Sequence, residues 1–163
     1  IIVHGDRVEA LAGAIVGALN NILVGHIEGG EVSGTIDELI RHSVSKLSHI
    51  HFVSNELAKK RLVQMGEFEN QVFVIGSPDI DVMFSKNLPS LQQVKEYYGI
   101  PFENFAVVLF HPVTTEQFRL KKDAEIFVNA MLQDNGNYVV IYPNNDMGTS
   151  TILKAYESLI DHP

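Results

Sequence analysis

Cysteine and tryptophan are both absent from this sequence. Without cysteine there is no disulfide, no thiolate nucleophile and no cysteine-ligated zinc or iron–sulfur centre. A cysteine-free chain is compatible with the cytoplasm, and that is the expected setting. Basic residues are scarce. Twelve Lys and Arg stand against 20 Asp and Glu, for a formal charge of −8. That balance argues against nucleic acid as a partner, although it leaves room for a local basic pocket that holds a phosphorylated small molecule. No stretch approaches the ~18 consecutive apolar residues of a membrane span, so no membrane partner is expected. The chain opens Ile1-Ile2-Val3 with no Met and no basic stretch before an apolar run, which is not a signal peptide. It reads as the inside of a strand. Asp161-His162-Pro163 stops just after a helical pattern, and the expectation is a segment of a longer chain.

What is present is enough for a core: 163 residues, 45% hydrophobic and 20% charged. Short apolar runs alternate with amphipathic segments. Strands are predicted near 1–4, 22–27, 49–53, 71–75, 105–110 and 138–142. Helices are predicted over Val8–Leu19, Thr35–Lys46, Glu56–Met65, about Glu116–Asp134 and Ile152–Ile160. Leu11, Ile15 and Leu19 recur four apart in the first helix. Thr35 with Glu38 makes a capping-box pattern, and Ser90-Leu91-Gln92-Gln93 is expected to cap a further short helix. Strands that are continuously apolar and alternate with helices imply buried parallel sheets, hence an α/β fold. The texture changes at Asn87-Leu88-Pro89, which divides the chain into two α/β units, 1–86 and 87–163.

In an open parallel sheet, ligands bind beyond the carboxyl ends of the strands. Four such ends carry chemically capable groups: His4-Gly5-Asp6-Arg7, His26-Ile27-Glu28-Gly29-Gly30-Glu31, Phe110-His111-Pro112 and Tyr142-Pro143-Asn144-Asn145-Asp146. An Asp after one strand and a Glu after its neighbour place two carboxylates at one crevice, where they are able to divide acid and base work. The competing roles are structural. Asp6 suits a helix N-cap, Arg7 a surface pair, and Gly29-Gly30 a turn. Downstream, Gly30 to Glu38 leads into a helix N-terminus suited to an anion or a sugar hydroxyl. There, Asp37 with Arg41 and Glu38 with His42 stand four apart, as on an ion-paired exposed face. The histidines form no zinc signature, so no metal is predicted. His111 follows a buried strand and precedes Pro112, which turns it towards the crevice. Ser54 reads as a helix cap away from that crevice. Gly148-Thr149-Ser150 reads as another cap.

Three runs carry a resemblance. His4-Gly5-Asp6-Arg7, the run His26 to Glu38 with Arg41-His42, and His111-Pro112-Val113-Thr114-Thr115 resemble the UDP-N-acetylglucosamine 2-epimerase family. They look most like its hydrolysing branch, which serves capsule and sialic acid synthesis. The string Glu28-Gly29-Gly30-Glu31-Val32-Ser33-Gly34-Thr35 is specific, because the non-hydrolysing branch typically has Glu-Ala-Gly-Leu-Arg-Thr-Gly there. The resemblance implies two Rossmann-like units of a glycosyltransferase-B type fold. In that frame 1–86 is the C-terminal part of the first domain and 87–163 the N-terminal part of the second, both truncated. An upstream phosphate loop and a downstream Ser/Glu region would complete the site.

The resemblance also implies a UDP-sugar substrate, no cofactor, and a homo-oligomer in the complete enzyme. UDP is eliminated to a glycal, and hydration then releases N-acetylmannosamine. By motif, Asp6 and Glu28 are the catalytic carboxylates. Asp37 or Glu38 is the third acidic position, with the choice left open, and His111 lies near the diphosphate. Arg7, His26, Gly30, Glu31, Ser33, Gly34, Thr35, Arg41 and His42 form the substrate-binding set. The alternatives are an epimerase for a UDP-diacetamido (bacillosamine-type) sugar, a non-hydrolysing 2-epimerase, or a non-enzymatic α/β ligand-binding module.

Overall fold

The computed structural model describes residues 1–160, so the last three residues of the predicted second unit lie outside the described residues. The chain divides between Leu88 and Pro89, two residues beyond the predicted boundary and beside the proline of the predicted linker. In the first unit, β1 (Ile2–His4), β2 (Gly25–Ile27), β3 (Ile50–Val53) and β4 (Val72–Val74) form one parallel sheet in the order β1-β2-β3-β4. The connecting helices are α1 (Val8–Leu19), α2 (Ile36–Lys46) and α3 (Glu56–Gln64), and α4 (Pro78–Met83) follows β4. In the second unit, α5 (Leu91–Tyr98) leads to β5 (Ala106–Leu109). The parallel partner of β5 is β6 (Tyr138–Ile141), and α6 (Gln117–Gln133) and α7 (Thr149–Tyr156) complete the unit. Both sheets are parallel, as strand–helix alternation requires.

Val3, His26, His51 and Val72 stand in register across the first sheet, and all four are buried. Two apolar clusters lie on this unit. One joins Val3, Ala10, Ala14, Val24 and Val44, and the other Val53, Ala58, Leu62 and Val72. The second unit has its own core of Val108, Leu120, Ala124, Val128, Met131, Ile152 and Tyr156. Among the described residues, no helix is long and apolar enough to cross a membrane.

Several local expectations are corrected. The second strand begins at Gly25, not Ile22. The Ile22 amide instead closes the end of α1 on the Gly17 carbonyl (2.9 Å), and Asn21 turns the chain with φ 54°. The buried face of α1 is Ala10, Ala14 and Gly17, while Leu19 is exposed. Small residues win there because the helix lies so close to the sheet that a Cβ on Gly17 would collide with Val24. The Thr35–Glu38 capping box does not form. Thr35 occupies the N-cap of α2 but makes no side-chain cap bond. The box at Ser90 and Gln93 does form. Helix α4 was not anticipated, yet Ser77-Pro78-Asp79 carries its signal: a serine at N-cap, proline at N1 and an acid in the first turn.

Candidate active site at the carboxyl edge of the first sheet

The ladder delivers both carboxylates to one edge. The Gly5 amide donates to the Ile27 carbonyl (3.0 Å) and the Glu28 amide to the Phe52 carbonyl (2.8 Å), so Asp6 and Glu28 leave adjacent strands at the same level. Gly5, Asp6, Glu28, Glu31, Arg41 and Ser54 line a depression of about 220 Å³.

Asp6 does not cap a helix. Arg7 holds the N-cap position of α1, and the Asp6 carboxylate instead pairs with the guanidinium of Arg41. Arg41 is 8% exposed and gathers two loops. Besides Asp6, it donates to the Glu31 carbonyl (2.9 Å) and to Ser33 Oγ (3.2 Å). An arginine fork suits this task, since its donors are rigidly spaced. Arg41 therefore aims Asp6 and shapes the Glu31–Ser33 loop.

Glu28 accepts at both oxygens. Oε2 lies 2.8 Å from His4 Nε2. Oε1 accepts from Ser77 Oγ (2.5 Å) and Ser54 Oγ (3.5 Å). Burial would raise its pKa, but the hydrogen bonds from Ser77, His4 and Ser54 outweigh burial and hold it below the ordinary carboxylate value. Its backbone is left-handed, with φ 64°, a costly conformation for a residue with a side chain.

Behind the edge sits His26, fully buried. It does not face the depression, so it moves from the ligand-contacting set to the positioning set. Its Nε2 donates to the Gly5 carbonyl (2.9 Å). Ser45 Oγ stands 3.0 Å from both His26 Nδ1 and the Arg41 carbonyl. Burial pushes the imidazole pKa down to about 4, partly opposed by the Gly5 carbonyl. A neutral His26 thus ties the Asp6 loop to α2.

The glycines are decided by packing. A Cβ on Gly29 would stand 2.8 Å from Ser45 Oγ and 2.9 Å from His26 Nδ1. Gly30 has φ 81°, and a Cβ there would collide with the Ala58 carbonyl of α3. Glu31 is then anchored by Asn55 Nδ2 (2.7 Å) and Arg61 Nη1 (3.5 Å).

Glu38 turns back on its own loop. Its Oε2 accepts from the Ser33 and Gly34 amides (2.9 and 2.7 Å), which, Gly34 first, lower its pKa. His42 Nε2 lies 3.9 Å from Glu38 Oε1. Asp37 accepts from Thr35 Oγ1 (3.0 Å). Arg7 is largely exposed beside Glu9, at 3.7 Å. Among the described residues, no group of His, Cys, Asp and Glu is arranged to hold a metal.

In the second unit, His111 accepts at Nδ1 from the Asn144 amide (3.1 Å), which joins the ends of β5 and β6. With Nδ1 accepting, Nε2 of the exposed His111 is the ring's N–H donor, suited to an anionic oxygen. Thr149 closes the Asn144–Asp146 turn through its hydroxyl.

Residues absent from the predicted set are His4, Ser54, Ser77 and Asn55. Asn55, not Ser54, caps α3 by accepting from the Ala58 amide (2.9 Å), so Ser54 is no remote cap. Adjacency to a strand end was the available signal for His4, Ser54 and Ser77, although nothing local tied Ser77 to Glu28, 49 positions away.

The profile of the UDP-N-acetylglucosamine 2-epimerase family matches residues 1–162. The chain belongs to that family. A curated UDP-N-acetylglucosamine 2-epimerase of Neisseria meningitidis serogroup B is 58% identical over 154 residues, 94% of this chain and 41% of the relative. The UDP-N,N'-diacetylbacillosamine 2-epimerase (hydrolyzing) of Legionella pneumophila is 38% identical over 164 residues, 100% of this chain and 44% of the relative. The chain thus spans about two fifths of the length of these curated family members. A crystal structure of UDP-GlcNAc 2-epimerase from Neisseria meningitidis, bound to UDP-GlcNAc, superposes with a TM-score of 0.73 at 22% identity. It covers 99% of this chain and 46% of that one, and shows that the epimerase's α/β fold with parallel sheets is shared.

Proposed function

We propose that this chain carries the carboxylate half of the site of a hydrolysing UDP-N-acetylglucosamine 2-epimerase. In this reading, residues 1–86 are the C-terminal part of a first Rossmann-like domain and 87–163 the N-terminal part of a second. The observation that carries it is the pair Asp6 and Glu28 at adjacent parallel strand ends, lining one depression, each held by its own partners. A base removes the proton from C2, the C2–H electrons form the C1=C2 bond of the glycal, and UDP leaves with the C1–O pair. Water then adds its oxygen to C1 and a proton to C2 from the opposite face, which releases N-acetylmannosamine. Asp6 and Glu28 divide the proton transfers. Asp37 is the third acid, because Glu38 is committed to the Ser33 and Gly34 amides. His111 Nε2 supports the departing diphosphate. A homo-oligomer and a cytoplasmic setting belong to the same proposal.

Two observations favour the hydrolysing branch. A relative named as hydrolyzing matches the whole chain. The alanine that the non-hydrolysing string places at position 29 would crowd the His26–Ser45 contact on which this site rests. The bacillosamine-type substrate is the second reading, favoured by that same relative's name. The test offers UDP-GlcNAc and UDP-diacetamidobacillosamine to the full-length protein, with detection of UDP and free sugar. Asp6→Asn and Glu28→Gln are each expected to lower kcat about 10²–10⁴-fold with little change in KM. EDTA is expected to leave turnover unchanged. Near-normal turnover in both variants would return these residues to structural roles, and absence of turnover on either sugar would favour a ligand-binding module.

A further inference from the structure

Three neighbouring strand ends converge on one carboxylate. His4 comes from the end of β1, Ser54 from the end of β3 and Ser77 from beyond β4. Both serines adjoin helix N-termini, where a hydroxyl ordinarily caps the helix. Neither does so. Asn55 caps α3. Ser77 occupies the N-cap position of α4 yet makes no cap bond there, and its hydroxyl goes instead to Glu28 Oε1 at 2.5 Å. A hydroxyl that accepts from none of its own helix's amides and instead donates to a residue 49 positions away serves that residue rather than its own helix.

We infer that Ser77, assisted by Ser54, is a positioning residue that fixes the Glu28 carboxylate for proton transfer through Oε2. This rests on the catalytic role proposed for Glu28. A carboxylate oxygen offers about two lone-pair sites. Oε1 accepts from two hydroxyls and Oε2 from one ring nitrogen, so the open lone pair lies on Oε2. The left-handed backbone of Glu28 is a costly conformation that its surroundings hold, and the serine bonds hold the carboxylate plane in place. The same bonds keep the group ionised, as a base must be. The charged groups around it are His4 from β1, Asp6 from the loop after β1, Glu31 from its own loop and Arg41 from α2.

The experiment is the kcat and KM of the full-length protein against pH, with UDP-GlcNAc, for wild type, Ser77→Ala, Ser77→Thr, Ser54→Ala and Glu28→Gln. In parallel, the Glu28 carboxyl is titrated by ¹³C NMR and assigned by its loss in Glu28→Gln. Ser77→Ala is expected to lower kcat about 10- to 100-fold with KM within about twofold, as misplacement of a catalytic group does. Its acidic limb and the Glu28 midpoint should both move to higher pH, because a donor to the charged form is gone. The charged neighbours stay in place, so the shift relative to wild type reports Glu28. Ser77→Thr should restore kcat and the limb, and Ser54→Ala should give a smaller effect of the same sign. Wild-type kcat and limb in Ser77→Ala, or a stability loss without a limb shift, would overturn the inference. If Ser77→Ala does not fold, Ser54→Ala and Ser77→Thr decide it by the same two readouts. If Glu28→Gln keeps full turnover, the catalytic reading fails instead, and the NMR midpoint alone decides whether Ser77 holds Glu28.

Discussion

Arg41 ties Asp6, Glu31 and Ser33 together. Its side chain is 9% exposed and that of Asp6 28%, so the pair lies in a poorly screened setting. Removing one partner of a buried pair leaves the other charge and its loop acceptors without compensation. Arg41→Ala is expected to cost about 2–4 kcal/mol, below the fully buried range because Asp6 keeps some water. Arg41→Lys should recover only part, since a lysine lacks the fork that spans Asp6, Glu31 and Ser33. Urea unfolding measures both, and equal stability of Arg41→Ala and wild type would show that the pair is not a structural tie.

The buried histidines set a pH window at the same scale. His26 has a folded-state pKa of about 4 against an ordinary 6.5. As pH falls, the unfolded chain therefore takes up the proton first. Stability present above pH 6.5 is lost between 6.5 and 4, by about 3 kcal/mol for His26. His51 shifts in the same direction, with burial outweighing Glu67. Glu28 and Glu38 are depressed carboxylates, so their contribution exists above pH 4.5 and is lost only below it. Unfolding free energy measured across pH should decline through the upper window first. His26→Gln should shrink that decline and leave the lower one in place.

At the scale of elements, the loop after β2 is held by close approach rather than by turn preference. Gly30 and Gly34 both have positive φ, but only Gly30 abuts backbone, the Ala58 carbonyl, while Gly34 faces open space. Gly34→Ala should cost about 1–2 kcal/mol of conformational strain. Gly30→Ala should cost more than that and also displace Glu28 and Glu31, so its kcat should fall while that of Gly34→Ala changes less. Comparison of urea midpoints and kcat for the two variants separates strain from collision. The start of α3 offers a paired case. Asn55→Ala should cost about 1 kcal/mol as a lost cap, whereas Ser54→Ala, which caps nothing, should leave the α3 end stable.

For the whole molecule, each unit closes its own core. Ile152 is fully buried among α6, α7 and β5 residues, and Leu62 among those of α3, β3 and β4. Ile152→Ala should lower hydrogen-exchange protection in β5, β6, α6 and α7 by about 2–5 kcal/mol and spare β1–β4. Leu62→Ala should do the reverse. Uniform loss of protection across both units from either change would show that the two cores unfold as one.

The sequence by itself determined the parallel α/β layout, the placement of Asp6 and Glu28 at neighbouring strand ends, and the division near Pro89. These follow from local signals, namely continuous apolar strands, helical periodicity and polar residues just past a strand. Tertiary structure decided the long-range partners, and the folded backbone's local turns decided the short-range ones. The Ile22 run reads as strand until the end of α1 claims its amide. Glu38 reads as half of a capping box until the Ser33 and Gly34 amides turn towards it. His26 reads as a ligand contact until the sheet buries it beneath Gly5. Ser54 reads as a cap until Asn55 takes that place. Ser77 carries the signal of a helix cap until β4, laid in register beside β3, brings it to Glu28. Hydrogen bonds between distant positions depend on strand order and register, and those are set when the sheet assembles, not by any short stretch of residues.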